Sequence, residues 1–366
     1  MDSLLINKIF ENIKKNDIFP GCIVASVSKE RPNYYYHWTR DAALVMRSII
    51  KYFKLTKDLK CFKQIIDYLN VESRFQKLST LSGLGEPKYN VDLTSFNDTW
   101  GRPQNDGPAL RGLIMLELYR LLEDYPFLLE QVSKIILNDL NYVLQNINQP
   151  SFDLWEEVYG YHLYTRGVQY KFLKEVLVSD IFPDLQENII MGKNSLKELI
   201  SHHQITMTSF DTNGKSCREY DTSLLLLVNH IDYDRDVVDI LDPIFIDYIK
   251  RMIASGNLIL DNDVIITYNY YKRKQRVGTV TAQQGDCILH QIAAKNKGTA
   301  SQTLQNFFNW TNRRVFLSVR SDNQIAKKFY EKNGMDLVGF TSWSKSGVKD
   351  ALPGDVYMYD NVKEVL

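Results

Sequence analysis

Several features are scarce in this sequence. It has four cysteines, Cys22, Cys61, Cys217 and Cys287, and no two of them stand in a CxxC spacing, so neither a zinc cluster nor a disulfide framework is expected. It has no net charge, with 44 basic residues against 44 acidic ones, and therefore lacks the basic excess a nucleic-acid partner would need. No apolar run approaches the ~18 residues of a membrane-spanning helix, so no membrane partner is expected. The opening MDSLLINKIFENIKKND sets charges among its apolar positions at helical spacing and does not read as a secretory signal. These absences together predict a cytoplasmic, reduced setting and no metal site.

Aromatic residues are plentiful at 12%, including 22 Tyr and 5 Trp. Such rings fill cores and also stack on sugar faces, and the first use is the commoner, so composition alone does not choose between them.

The hydrophobic period changes along the chain. Up to about residue 234 it is mainly helical, with helices expected at 3–15, 41–54, 110–121, 126–146, 157–180, 193–205 and 220–230. After a further helix at 236–254 the period becomes two. Strands are expected at 258–271, 276–282, 287–294, 315–319, 336–343 and 355–359, interrupted by helices at 300–311 and 323–333. An α domain over 1–234 followed by an α/β domain over 235–366 is the predicted organisation, without a Gly/Ser/Pro linker between them.

Three loops of the helical half concentrate uncommon residues. They are NYYYHWTRD (33–41), GLGEPKYNVD with TWGRPQNDGPALRG (83–112), and FDLWEEVYGYHLYTRGVQ (152–169). Each has an ordinary reading as a cap, a turn or a solvated helix start. Together they assemble aromatic platforms, an Arg/Asp pair for hydroxyls, and a carboxylic acid beside a tryptophan, which is what sugar chemistry requires.

In this order and spacing the motifs resemble the glucoamylase family of glycoside hydrolases, family fifteen, and CREYDTSLLLLVNHIDYD (217–234) resembles the family's next segment. The resemblance implies an α/α barrel acting on terminal α-1,4-linked glucose of starch- or glycogen-type glucans with inversion. By motif matching, Glu156 corresponds to the general acid, and Arg40 and Asp41 to the pair that binds hydroxyls of the non-reducing-end glucose. Tyr34, Trp38, Trp100, Arg102, Asp106, Trp155 and Glu157 match positions around the first two subsites. Inversion also requires a second carboxylate, roughly 6.5–9.5 Å from the acid, to activate water. The family supplies it late in the barrel, and nothing after residue 234 matches that segment. An incomplete barrel with impaired hydrolysis, and apolar helix faces left without partners, is therefore expected.

The α/β half carries KNKGTA (295–300) between a strand and a helix, and DNQIAKKFYEKNGM (322–335) before a strand. A small-residue turn at a helix start suits an anion, although an ordinary βα loop looks the same. The pair resembles the GNAT N-acetyltransferase superfamily over about 256–366. That resemblance implies acetyl-CoA as cofactor and an amine as acceptor. Backbone groups of Ile292, Ala293 and Ala294 would meet the pantetheine, and those of Lys297, Gly298, Thr299, Ala300 and Ser301 the pyrophosphate. Asn323 belongs to the matched segment, and Tyr330 would protonate the departing thiolate. Asp286 or His290 is the expected proton acceptor, with a structural histidine as the alternative. A fusion of a glucan-binding hydrolase domain to an acetyltransferase is the leading expectation. The alternative is a non-catalytic carbohydrate-binding or scaffold protein.

Overall fold

The computed structural model describes residues 10–11, 13, 15–30, 33–203, 207–216, 221–254, 258–261, 264–294, 299–343 and 352–360. Most of the helix expected at 3–15 lies outside them, as do 217–220 and the loop residues Lys297 and Gly298. The chain divides into two compact units, Met1–Asp242 and Pro243–Leu366.

The first unit holds seven helices among its described residues: α1 (Thr39–Thr56), α2 (Leu59–Phe75), α3 (Asp106–Leu121), α4 (Pro126–Asn146), α5 (Leu163–Ser179), α6 (Gln186–Ser201) and α7 (Ser223–His230). Alternate helices pack in one row, α1 on α3, α3 on α5 and α5 on α7, while α2, α4 and α6 form a second row behind them. The helices of the front row run the same way. Arg40, near the start of α1, bonds Asp106 at the start of α3, and Arg47 and Lys54 further along α1 reach Glu117 near the end of α3. Helix α3 is central, with eleven of its sixteen residues buried. Its Gly112 lets α5 come close, since a Cβ there would stand 2.4 Å from the Phe172 ring.

Short strands tie the loops at the N-terminal ends of this row. They are β1 (Asp17–Phe19), β2 (Cys22–Ile23), β3 (His37–Trp38), β4 (Lys88–Tyr89), β5 (Ser151–Phe152), β6 (Tyr159–His162) and β7 (Ser209–Asp211). β1 pairs with β2, β3 with β4, and β5–β6–β7 form a small sheet, all antiparallel.

Three expectations are corrected here. Helix α2 was not anticipated, although Asp58 caps it by accepting from Lys60 N–H. The helix expected from 157 begins only at Leu163, because Tyr159–His162 pair on both sides as β6. The side shared by the front-row helices is not bare apolar surface. A cavity of about 400 Å³ there has an apolar floor including Leu44, Leu110 and Leu113, and charged walls. Arg47 pairs with Asp232, Arg120 and Lys171 each reach Glu175 at 3.0 Å, and Lys51 reaches Asp232 at 3.5 Å.

The second unit opens with α8 (Pro243–Ala254), seven residues later than the period suggests, with proline at its first position. Strands β8 (Leu258–Asp261), β9 (Val264–Tyr270), β12 (Cys287–Ala294), β13 (Val315–Arg320), β14 (Asp336–Trp343) and β15 (Leu352–Tyr359) form one sheet in the order β14-β15-β13-β12-β9-β8. The hairpin β10 (Gln275–Val277) and β11 (Val280–Ala282) is a separate ladder that packs on this sheet, with Thr279 N–H donating to the Phe340 carbonyl at 2.8 Å. Helices α9 (Thr299–Thr311) and α10 (Gln324–Lys332) supply Leu304, Phe307 and Phe329 to a core with Ile266, Tyr268, Leu289, Leu317 and Tyr357. Only β12 and β13 are parallel, and they pair at just two positions, Cys287 with Val315 and Ile288 with Phe316. Beyond Ile288 they part, while β12 continues to pair with β9 as far as Ala294. The pairing with β9 shifts register between Leu289 and Gln291, so His290 sits at a bulge.

Candidate active site

The segment leading into α1 and the turn before β6 and α5 form a pocket of about 220 Å³ lined by Ala25, Tyr34, Trp38, Arg40, Asp41, Leu154, Trp155 and Glu156. Short antiparallel pairing of His37–Trp38 with Lys88–Tyr89 holds one wall. The Leu154–Glu156 turn holds the other, and it is strained. Glu156 has φ of +62°, a left-handed conformation costing ~1–3 kcal/mol for a side chain of this type, and such residues cluster at functional sites.

Two donors fix the Glu156 carboxylate. Trp38 Nε1 and Gln104 Nε2 each donate to Oε1 at 2.9 Å. Arg40 Nη1 donates to Asp106 Oδ2 at 2.7 Å and to Gln104 Oε1 at 3.0 Å, and its Nη2 donates to the Leu154 carbonyl at 3.3 Å. Asp41 stands at the mouth with 43% of its side chain exposed, 3.9 Å from Arg40 Nε. Enough protein surrounds it that burial raises its pKa; Arg40 opposes this, and the negative charges of Glu156 and Asp106 add to it. The other oxygen of Asp106, Oδ1, is buried without a hydrogen-bond partner among the described residues.

The residues picked from the sequence therefore separate into two sets. Tyr34, Trp38, Arg40, Asp41, Trp155 and Glu156 line the pocket. Asp106 backs Arg40. Arg102 is held by Glu86, with Nε at 3.0 Å from Oε1, and donates to the Asp98 carbonyl. Trp100 packs edge-on to Trp38 and lies over Lys88, whose ammonium is 3.2 Å from its ring centroid. Glu157 continues the strained turn, its backbone N–H bonded to Asp153. The tryptophan that contacts the acid is also not its chain neighbour. Trp155 gives its N–H to Asp221 at 3.0 Å, while Trp38 reaches Glu156 from another loop. Gln104 was missed altogether. Its place inside TWGRPQNDGP was the one available signal.

Lys88 is also informative. It is 1% exposed, and the rings of Trp100, Phe96, Tyr36 and Trp38 lie within 3.2 to 4.6 Å of its ammonium. Cation–π attraction on this scale binds the β4 strand to the aromatic wall of the pocket. Beneath it, a buried ionic network anchors β3. His37 Nδ1 accepts from Ile23 N–H, which leaves its Nε2–H to donate to Glu72 at 2.8 Å, and Arg111 joins Glu72 to Asp139.

In the second unit, Asn323 caps α10 by accepting from Ala326 N–H. Tyr330 is half-buried among Phe329 and the core, and burial raises its pKa. His290 is at the surface of β12, with its pKa lowered by partial desolvation. Asp286 is tied into a salt bridge. Arg314 holds both its oxygens, at 3.2 and 2.5 Å, and Gln283 N–H donates to it as well. Ile292, Ala293 and Ala294 lie on the splayed half of β12, and Thr299, Ala300 and Ser301 open α9. Among the described residues, no group of three or more His, Cys, Asp or Glu is placed to hold a metal ion, and no helix is long and apolar enough to cross a membrane.

The first unit is thus a row of helices whose N-terminal loops present a pinned carboxylate, an Arg/Asp pair and aromatic walls. The chain belongs to the family described as "Glycosyl hydrolases family 15", whose profile matches residues 2–261, further than the motifs alone had indicated. It is 40% identical over 189 residues to "Glucoamylase-1" of Arthroderma benhamiae, covering 48% of this chain and 31% of the relative. A solved "Glycoside Hydrolase Family 15 Glucoamylase from Hypocrea jecorina" superposes with a TM-score of 0.59 at 30% identity, over 65% of this chain and 43% of that one. The chain spans between 31% and 40% of the length of the first curated relatives it matches. A GNAT acetyltransferase from Streptococcus pneumoniae reaches a TM-score of only 0.25, which carries no argument for that fold in the second unit.

Proposed function

We propose that the first unit binds the non-reducing end of an α-1,4-glucan, with Glu156 as the general acid. Arg40 and Asp41 bind the hydroxyls of the terminal glucose, and Tyr34, Trp38 and Trp155 supply apolar faces for its ring. The observation that carries this reading is the fixing of Glu156 Oε1 by two N–H donors in a residue that lines the pocket, which leaves Oε2 as the oxygen to carry the proton. Proton transfer from Oε2–H to the glycosidic oxygen lets the C1–O bond break with its electron pair going to the leaving sugar. Water must then attack from the opposite face and give a proton to a second carboxylate. Among the residues lining the pocket, the carboxylate besides Glu156 is Asp41, which this reading assigns to the hydroxyls. Glucose release from maltose is therefore expected to be slow. Acarbose or maltose binding by calorimetry tests recognition, and loss of binding in neither Arg40→Ala nor Asp41→Ala would overturn it. A turnover on the order of 10 s⁻¹ would show that a base is present and the barrel functionally complete. A cytoplasmic location belongs to the same reading, supported by the buried thiols of Cys22 and Cys287, neither of which is in a disulfide.

A second reading concerns the second unit, where β12 and β13 diverge after two residue pairs. One edge of β12 from Leu289 onward is thereby left open for an extended ligand, and α9 begins beyond it. Acetyl-CoA laid along Ile292–Ala294 with its pyrophosphate near Thr299–Ser301, Tyr330 as thiolate acid and an amine as acceptor is the transfer chemistry this wedge supports. Titration with CoA is the test. Absence of heat with the full chain would leave this unit with the scaffold reading.

A further inference from the structure

Gln104 is 2% exposed and makes three polar contacts through its side-chain amide. Its Oε1 accepts from Arg40 Nη1 at 3.0 Å, and its Nε2 donates to Glu156 Oε1 at 2.9 Å and to the Gly101 carbonyl at 3.2 Å. These contacts permit only one amide orientation. Turned over, the amide would set its oxygen against two acceptors and its N–H groups against a guanidinium. Arg40 therefore dictates where the Gln104 N–H groups point.

We propose that Gln104 is the positioning residue that decides which oxygen of Glu156 carries the proton, a proposal that rests on Glu156 being the acid. Oε1 already receives two N–H donors, one from Gln104 and one from Trp38, so the hydroxyl hydrogen belongs on Oε2. Arg40 also holds the Leu154 carbonyl, two residues before the acid. One guanidinium thus sets both the sugar-binding corner and, through Gln104, the aim of the proton. Glu156 needs this support because it stands on a left-handed turn whose backbone alone does not favour it.

The test compares Gln104→Met and Gln104→Glu with the unaltered chain on maltose and on α-D-glucosyl fluoride, whose leaving group departs with little need of a proton. Gln104→Met should lose ~10- to 100-fold on maltose, the cost of a misplaced group, and far less on the fluoride. Gln104→Glu keeps the shape but opposes one carboxylate with another. It should lose as much at neutral pH and recover below about pH 4.3, when the new side chain is protonated and donates again. A crystal structure of Gln104→Met supplies a readout free of turnover, and Glu156 should there adopt more than one carboxylate orientation. Equal losses on both substrates, or a Glu156 unmoved in that crystal structure, would overturn the proposal. If the unaltered chain cleaves neither substrate, the hydrolase reading fails, and the crystal structure still decides the positioning role.

Discussion

Trp38 and Glu156, separated by 118 residues of sequence, meet through an indole N–H to carboxylate hydrogen bond of 2.9 Å. The bond joins the β3 wall to the strained Leu154–Glu156 turn. Trp38→Phe keeps an aromatic ring facing Tyr34, Tyr36 and Trp100 and removes the donor together with part of the buried indole. Glucose release should fall by roughly 10- to 150-fold, in proportion to one charge-assisted hydrogen bond of ~1.5–3 kcal/mol. The thermal unfolding midpoint should fall by a few degrees from the lost ring volume, and a variant with unaltered kinetics would show the bond to be incidental.

Arg40 serves three acceptors on two separate segments, Gln104 and Asp106 at the start of α3 and Leu154 before β6, a geometry an ammonium cannot reproduce. Arg40→Lys should therefore lose at least tenfold in maltose affinity and also unfold at lower urea, because buried Asp106 loses the guanidinium N–H that its Oδ2 accepts. Asp41→Asn should lose affinity without loss of stability, since Asp41 is partly exposed. Its raised pKa makes affinity decline on acidification sooner than for an ordinary carboxylate, as protonation removes the charged acceptor. Calorimetry across pH and urea denaturation separate the two residues.

Arg111 is fully buried, 3.0 Å from Glu72 and 2.6 Å from Asp139. Arg111→Met should cost ~3–5 kcal/mol of stability, because two carboxylates remain in the interior without their cation. Urea unfolding measures it. A loss below ~1 kcal/mol would mean that water or His37 takes over the pairing.

Acid should destabilise the first unit through two histidines. His203 is pushed down to about 3, chiefly by burial and then by Arg166, and His230 to about 4, chiefly by burial and then by Arg47. Both stay neutral in the fold, with Tyr164 O–H donating to His230 Nδ1 at 2.6 Å, while the unfolded chain protonates them near 6.5. Between about pH 6.5 and 4 the unfolded state thus binds more protons. Stability is fully present above that window and is lost as pH falls, by on the order of 2 kcal/mol per histidine after allowance for partial exposure. Urea midpoints from pH 7 to 4.5 should slope accordingly, and His203→Gln or His230→Gln should flatten the slope.

Much of the secondary structure was legible in the sequence. The period-3.6 stripe and a leading proline placed α4 at Pro126–Asn146, and β-branched runs placed β12 and β14 at Cys287–Ala294 and Asp336–Trp343. Helix α2 was obscured by charges, among them Glu72, which belongs to the buried face only because Arg111 and His37 neutralise it from elsewhere in the chain. The Tyr159–His162 strand was obscured in the same way, since its β conformation comes from partners at 151–152 and 209–211.

The motifs by themselves determined the family and the set of chemical groups at its pocket, because residue types and spacing along one segment are a local record. Only the tertiary structure decided which of those groups touch. Trp38 rather than Trp155 reaches Glu156, Gln104 joins Arg40 to the acid, and Arg314 holds Asp286 in a salt bridge. Each of these hydrogen bonds spans 28 to 118 positions. Their geometry is set by how α1, α3 and α5 pack, where a close approach such as that at Gly112 brings loops together that no periodicity in the sequence connects.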